Sequence, residues 1–192
     1  NLNNKKLRFT TDINKSIRNS KIIFIAVGTP QKKNGEADLS YVYAAANSIA
    51  DNLNNYKIIC TKSTVPVGTG HEIEKIILSK NDIKLFDYVS NPEFLREGSA
   101  VNDFMIPDRL VIGSRSNKAF NLMKNVYRPL FINETPIVNS SVETAKDKEC
   151  SGCKIMICNW LQEIPPAISN NQSKSTCLPP FNIIFFLHWR KV

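Results

Sequence analysis

The sequence predicts an α/β fold, a doubly wound parallel sheet with helices on both faces, over residues 1–145, followed by an irregular tail over residues 146–192. Three observations predict it. Short apolar runs rich in Ile and Val recur along the chain, segments of helical period separate them, and both patterns stop after Ala145. Runs that need no polar alternation, such as IIFIAV, fit strands buried on both faces.

The elements follow in order. Leu7 to Thr10 reads as a short strand, and a short helix starts near Asp12, whose carboxylate suits an N-cap. Ile22 to Val27 is the first fully apolar strand, and Leu39 to Leu53 carries helical period after it. Ile58 to Cys60 is the next strand, with a helix over Gly70 to Leu78. Phe86 to Val89, Leu110 to Ile112 and Ile137 to Val138 complete the strands, and Lys118 to Leu130 is the last helical segment. From Lys146 onward, paired prolines and an Asn/Ser-rich middle give no sustained period.

Composition narrows the function classes. An apolar share of 42% over 192 residues is ordinary for a globular protein with a real core. The net charge of +8 is scattered: residues 1–145 hold 19 Lys and Arg against 14 Asp and Glu. With no basic block and no aromatic-interleaved stripe, a small anionic ligand fits better than nucleic acid. Five cysteines, an odd number, and no signal peptide point to a reduced, cytoplasmic protein, and no apolar run is long enough to span a bilayer. The chain opens on Asn1 without a Met and reads as a piece of something longer.

In an open α/β sheet, ligands bind beyond the carboxyl ends of the strands, so the loops there are the candidates. The first is AVGTPQKKNGEADLS, residues 26–40, where Gly28 permits close backbone approach, Pro30 ends strand pairing and Asp38 caps the next helix. The second is TKSTVPVGTGHEIEKI, residues 61–76, whose Gly68-Thr69-Gly70 opens a helix with free N–H groups suited to phosphate. It carries neither GxGxxG nor GxxxxGK[ST], and His71 reads as a surface residue of the first turn. The third is NPEFLREGSAVNDF, residues 91–104. If Glu93 to Glu97 forms a helical turn, the two carboxylates share a face and raise each other's pKa, making one a general base; a solvated surface turn is the alternative.

Taken together, VGTP at 27–30, KSTVPVGT at 62–69 and NPEFLREGSAVNDFMIPDRLVIG at 91–113 closely resemble the nucleotide-sugar dehydrogenases, specifically the UDP-glucose 6-dehydrogenase family. Pro107-Asp108-Arg109 looks like the UDP-glucose branch rather than the GDP-mannose branch. The resemblance covers about residues 7–145 and implies the second part of a Rossmann-like NAD-binding domain. It implies an enzyme, usually homo-oligomeric, that oxidises C6 of UDP-glucose twice with NAD, through a cysteine thioester, to UDP-glucuronate. By motif, Thr29 contacts NAD; Thr64 contacts NAD and helps to position the catalytic water; Glu93 activates that water. Phe94, Leu95 and Arg96 line the UDP-glucose site largely through backbone, Glu97 touches both ligands, and Arg109 is structural.

The resemblance also implies what this chain lacks. The family's glycine-rich fingerprint lies upstream of Asn1, and none of the five cysteines stands in the family's nucleophile motif. Turnover by these 192 residues alone is therefore not expected. After Ala145 the family continues with a helix carrying a substrate-binding Lys and Asn, whereas KDKECSGCKIMICNW suggests a shifted reading frame. The competing reading, a metal site of Cys150, Cys153, Cys158 and Cys177, has irregular spacing, and no metal is expected. Rival functions are a non-catalytic nucleotide-binding remnant, a degenerate gene product, and a dehydrogenase of GDP-mannose or a UDP-N-acetylhexosamine.

Overall fold

The structure, a computed structural model, describes residues 9–96, 98–128, 135–147 and 184–187; for residues 146, 147 and 184–187 only the main chain enters the description. Its strands are β1 (Ile22–Ile25), β2 (Lys57–Thr61), β3 (Phe86–Ser90), β4 (Leu110–Ser114), β5 (Ile137–Ser140) and β6 (Ile184–Leu187). Its helices are α1 (Ile13–Asn19), α2 (Ser40–Asn52), α3 (Thr69–Leu78), α4 (Ala100–Met105), α5 (Asn117–Val126) and α6 (Val142–Asp147). One sheet contains the strands in the order β5-β4-β3-β2-β1-β6.

The α/β expectation holds for the body of the sheet. β1, β2 and β3 run parallel in register, with Ile22 opposite Ile58 and Lys57 opposite Phe86, and β4 pairs parallel with β5. Two pairings depart from an all-parallel sheet: β4 is antiparallel to β3, and β6 is antiparallel to β1. A parallel crossover needs a connection that traverses the sheet. α4, between β3 and β4, has 6 residues and rises only about 9 Å, so the chain re-enters from the end it left. β6 comes from the tail expected to be irregular, α6 carries on into its first two residues, 146 and 147, and the remainder, with Cys150, Cys153, Cys158 and Cys177, lies outside the described residues. The expected strand from Leu7 to Thr10 lies half outside them; Phe9 and Thr10 belong to no strand.

Period-2 alternation divides the core in two. Ile23, Ile25, Ile59, Phe86 and Tyr88 face a cluster built with Ile17 of α1, Val42, Ala46 and Ile49 of α2, and Ile73 and Ile77 of α3. Ile22, Phe24, Ile58, Cys60 and Val89 face the other way, onto Ala119 and Met123 of α5. All four residues of β1 and all five of β2 are buried. That is why these strands show no polar alternation.

Local chemistry sets the helix ends. Asp12 caps α1 as expected, its carboxylate accepting the Lys15 N–H at 3.0 Å. Gly68, at φ 91°, supplies the left-handed turn that opens α3. Gly70 then packs on the Tyr88 ring so closely that a Cβ there would lie 2.6 Å from Cε1. Asp38 receives the Ser40 N–H at 2.9 Å, but Leu39 occupies the cap position of α2, one residue beyond the expected cap. That bond holds the Asp38 carboxyl below the usual carboxylate range.

Lys57 is fully buried at the start of β2, without a carboxylate partner among the described residues. Its ammonium donates to Arg18 O at 3.1 Å, Ser20 O at 2.7 Å and Asn55 Oδ1 at 2.7 Å, tying the carbonyls at the end of α1 to the sheet. Burial pushes its pKa down. Lys57→Met, of similar length, orphans these acceptors and should cost about 2 kcal/mol in urea unfolding; an unchanged midpoint would remove the lysine from the account of how α1 is held. Gly70→Ala should cost about 1–3 kcal/mol by overpacking, because the buried Tyr88 ring, whose hydroxyl donates to Thr61 Oγ1 at 2.9 Å, has little room to yield. The same unfolding titration measures it.

Candidate functional site

Three loops leave the carboxyl ends of β1, β2 and β3, and main-chain and buried side-chain hydrogen bonds stitch them into one rim. Lys62 N and Ser63 N both donate to Ile25 O, at 2.9 and 3.2 Å. The buried Ser63 hydroxyl accepts the Val27 N–H at 2.9 Å and donates to Val27 O at 2.7 Å. Outside that seam, the Thr29 hydroxyl donates to Thr64 O at 3.0 Å. The two threonines singled out in the sequence are therefore neighbours, 35 residues apart in the chain.

The third loop joins through Asn91. Its N–H donates to Thr61 O at 3.0 Å, which places the start of NPEF beside the end of β2. The Asn91 side chain is fully buried: Nδ2 donates to Val111 O at 2.8 Å, and Oδ1 accepts the Tyr127 hydroxyl. Burial pushes the Tyr127 hydroxyl well above its ordinary pKa, so it stays a neutral donor. One amide side chain thus ties β3 to β4 and to the end of α5, and the loop leaves from a fixed root.

From that root the chain passes through buried Pro92 to half-buried Glu93, Phe94 and Leu95, and then to exposed Arg96. Residues 91–96 are not helical, and the next helix begins only at Ala100, so the helical turn considered for Glu93 to Glu97 is not what this loop forms. Glu97 lies outside the described residues. Phe94 lies against Arg109, whose guanidinium carbon is 4.9 Å from the ring centroid. Arg96 is turned onto Asp103 and receives the Ser99 N–H on its carbonyl at 3.1 Å.

The rim therefore assembles Thr29, Thr64, Glu93, Phe94, Leu95 and Arg96 on successive strand ends. Space for a ligand is available beside it. A cleft of about 510 Å³ runs between the 32–43 segment and Pro66, with Lys32, Asp38 and Tyr43 on its walls. A Cβ on Gly28 would meet nothing within 4 Å, so the end of β1 is open to a ligand's approach. A larger cleft of about 640 Å³, between Lys21, Tyr56 and Lys118, opens at the amino ends of β1 and β2, away from this rim. His71 is exposed, with Nδ1 4.0 Å from Glu74 Oε2, as the sequence suggested for a surface residue. Among the described residues no cluster of His, Cys, Asp or Glu could hold a metal, and no helix is long and apolar enough to cross a membrane.

Sequence reasoning missed Ser63, Asn91, Asp103 and Tyr127 as builders of the rim. Ser63 and Asn91 lie inside the quoted motifs, yet nothing in a one-dimensional pattern distinguishes a buried strut from a ligand contact. Tyr127 has no local signal, since its partner is 36 residues away.

Comparison with known proteins identifies the family. Residues 1–131 match the family described as UDP-glucose/GDP-mannose dehydrogenase family, NAD binding domain. A UDP-glucose 6-dehydrogenase of Rhizobium meliloti is 50% identical over 144 residues, covering 73% of this chain and 33% of that protein. The solved UDP-glucose dehydrogenase of Pyrobaculum islandicum superposes with a TM-score of 0.71 at 34% identity, over 77% of this chain and 34% of its own. A GDP-mannose dehydrogenase from Pseudomonas aeruginosa superposes with a TM-score of 0.69 at 32% identity, over 77% and 35% of the two chains. This chain spans about a third of the length of these relatives. With its strand-end loops carrying the family motifs in order, the chain belongs to the UDP-glucose/GDP-mannose dehydrogenase family, through its NAD-binding domain.

Proposed function

We propose that this chain supplies the NAD-facing and sugar-facing loops of an enzyme that oxidises UDP-glucose at C6 to UDP-glucuronate. The observation that carries the proposal is the convergence of Thr29, Thr64 and Glu93 on one rim, through the Thr29–Thr64 and Asn91–Thr61 hydrogen bonds. The UDP-glucose dehydrogenases at about 50% identity favour this substrate, and the near-equal superposition of a GDP-mannose enzyme makes the choice of sugar nucleotide the finer part of the reading.

The residues present fit one flank of a dinucleotide site. Gly28 leaves open space at the end of β1. Thr29 and Thr64 place two half-buried hydroxyl groups beside it; that of Thr29 is spent on Thr64 O, and that of Thr64 has no partner among the described residues. These would hold NAD, which when bound accepts the hydride from C6. Thr64 is then placed to orient a water as well as the cofactor, and the half-buried carboxylate of Glu93 to take a proton from that water as it attacks the C6 thioester carbonyl. The C–S bond breaks to release a cysteine thiolate that none of the five cysteines here would supply. Phe94 and Leu95 shield the sugar side from solvent, with Arg96 at the far end of the described segment. The family's nucleophilic cysteine has no counterpart among the five cysteines here, so the chain holds the water-activating part of the chemistry and not the acyl-forming part.

Two measurements check this reading. NADH formation from UDP-glucose and NAD should be undetectable by absorbance with the isolated chain, and turnover would overturn the assignment of roles. In amide NMR titrations, NAD should shift Gly28, Thr29 and Thr64, and UDP-glucose should shift Phe94 and Leu95 more strongly than GDP-mannose does. Thr64→Ala, which leaves the main-chain acceptor for Thr29 in place, should weaken NAD binding by roughly tenfold, the scale of one lost hydrogen bond. Equal responses to both sugar nucleotides would sink the UDP-glucose assignment.

A further inference from the structure

Three hydrogen bonds converge on one side chain within the 91–109 connection. Arg96 N–H donates to Asp103 Oδ2 at 2.8 Å, Arg96 Nε to the same oxygen at 3.1 Å, and Arg96 Nη2 to Asp103 Oδ1 at 2.7 Å. The pairing is bidentate between the guanidinium and the carboxylate, with the main-chain amide as a third donor. The two residues are unequally placed: the Arg96 side chain is 73% exposed, whereas that of Asp103 is 9% exposed. A carboxylate sunk into the loop with an arginine lying over it is arranged to serve the loop, not the solvent.

Asp103 is also fixed from behind. It lies in the first turn of α4, where its own N–H donates to Ser99 O at 2.9 Å. Arg96 O accepts the Ser99 N–H at 3.1 Å. Both main-chain groups of Arg96 are therefore consumed inside the connection, and its guanidinium is turned onto Asp103 through Nε and Nη2. Upstream, Asn91 anchors the root of the loop to Thr61 O and Val111 O. Glu93, Phe94 and Leu95 are thus suspended between two clamps, the buried Asn91 amide and the Asp103 carboxylate, with Arg109 against the Phe94 ring as a lateral stop.

We infer that Asp103 is a positioning residue: by gripping the amide and guanidinium of Arg96 it holds the Glu93–Leu95 segment in its sugar-nucleotide-facing conformation before ligand arrives. This rests on the reading of that loop as substrate-facing. Hydrogen bonds from the Arg96 side chain, and then from its amide, keep the Asp103 carboxyl below the usual carboxylate range, so the clamp is ionised at neutral pH. A loop ordered in advance binds without the ordering cost that a free loop would meet on binding. Arg96 accordingly contributes to the site as the strut that Asp103 grips, not as a cation offered to the diphosphate.

The test uses the intact 192-residue chain, with amide exchange and UDP-glucose titration followed by NMR. Asp103→Ala removes all three acceptor contacts and should speed exchange at the Arg96 amide by at least about tenfold and weaken UDP-glucose binding severalfold, with an unchanged urea midpoint for the sheet. Asp103→Asn keeps an oxygen for the amide and should restore part of both. Should Asp103→Ala not fold, Arg96→Gln, which keeps the amide bond and removes the guanidinium, should give the same intermediate pattern as Asp103→Asn. Equal UDP-glucose affinity in the unsubstituted chain and in the variants would overturn the positioning role and leave the functional reading standing. Absence of any UDP-glucose response in the unsubstituted chain would instead overturn the functional reading, and this inference with it.

Discussion

Burial of β1 and β2 on both faces is the constraint from which the rest of this structure follows. With Ile22 and Phe24 packed on one side and Ile23 and Ile25 on the other, no side chain of β1 reaches solvent. Strands of that kind present polar groups only at their ends, and here the carboxyl ends deliver three loops to one rim. The faces of these strands offer no polar surface, so their polar contacts with solvent are left to the loops at the strand ends. Even Lys57, the one charged residue in these two strands, is spent on main-chain carbonyls and an amide rather than offered to a ligand.

The same constraint explains which parts of the molecule could be read from sequence. Doubly buried strands announce themselves as uninterrupted apolar runs, so Ile22 to Val27, Ile58 to Cys60 and the helices between them are visible as local patterns. The three loops were visible because Gly28, Gly68, Pro30 and the NPEF run interrupt those patterns. The direction of β4 was not visible, since it depends on whether α4 is long enough to cross the sheet, and residues 91–109 do not declare a helix of 6 residues in advance. Pairings such as Ser63 with Val27, Asn91 with Tyr127 and Arg96 with Asp103 stayed hidden for a related reason. A polar side chain near a strand end can be a strut or a ligand contact, and only its burial and partners distinguish them.

Charge on this chain is likewise used mostly for construction near the site. Arg96 closes on Asp103, and Arg115 holds Glu74 at 2.8 and 2.9 Å while reaching Glu143 at 2.8 Å, joining α3, the turn before α5, and α6. Lys118 lies over the Tyr56 ring at 3.3 Å on the opposite rim. Among the described residues, these three cations are engaged by the protein's own groups. On the proposed function, recognition on the described rim would fall to hydroxyls, main chain, the Glu93 carboxylate and apolar cover, a set that suits orientation of a neutral sugar and of water.

The way the rim is held also separates ligand-facing shape from catalytic competence. Each loop is fastened to the sheet by groups that no ligand supplies: Ser63 to Val27, Thr29 to Thr64 O, Asn91 to Thr61 and Val111, Arg96 to Asp103. These bonds are internal, so they hold Thr64 and the root of the Glu93 loop without a contribution from a ligand. The edge beyond β1 shows the same economy. An unpaired apolar strand edge is an aggregation hazard, and β6 pairs with all four residues of β1, from Ile22 opposite Leu187 to Ile25 opposite Ile184. Its antiparallel direction does not disturb the rim, because the β1–β2 register that sets Thr29 beside Thr64 lies on the other edge of β1.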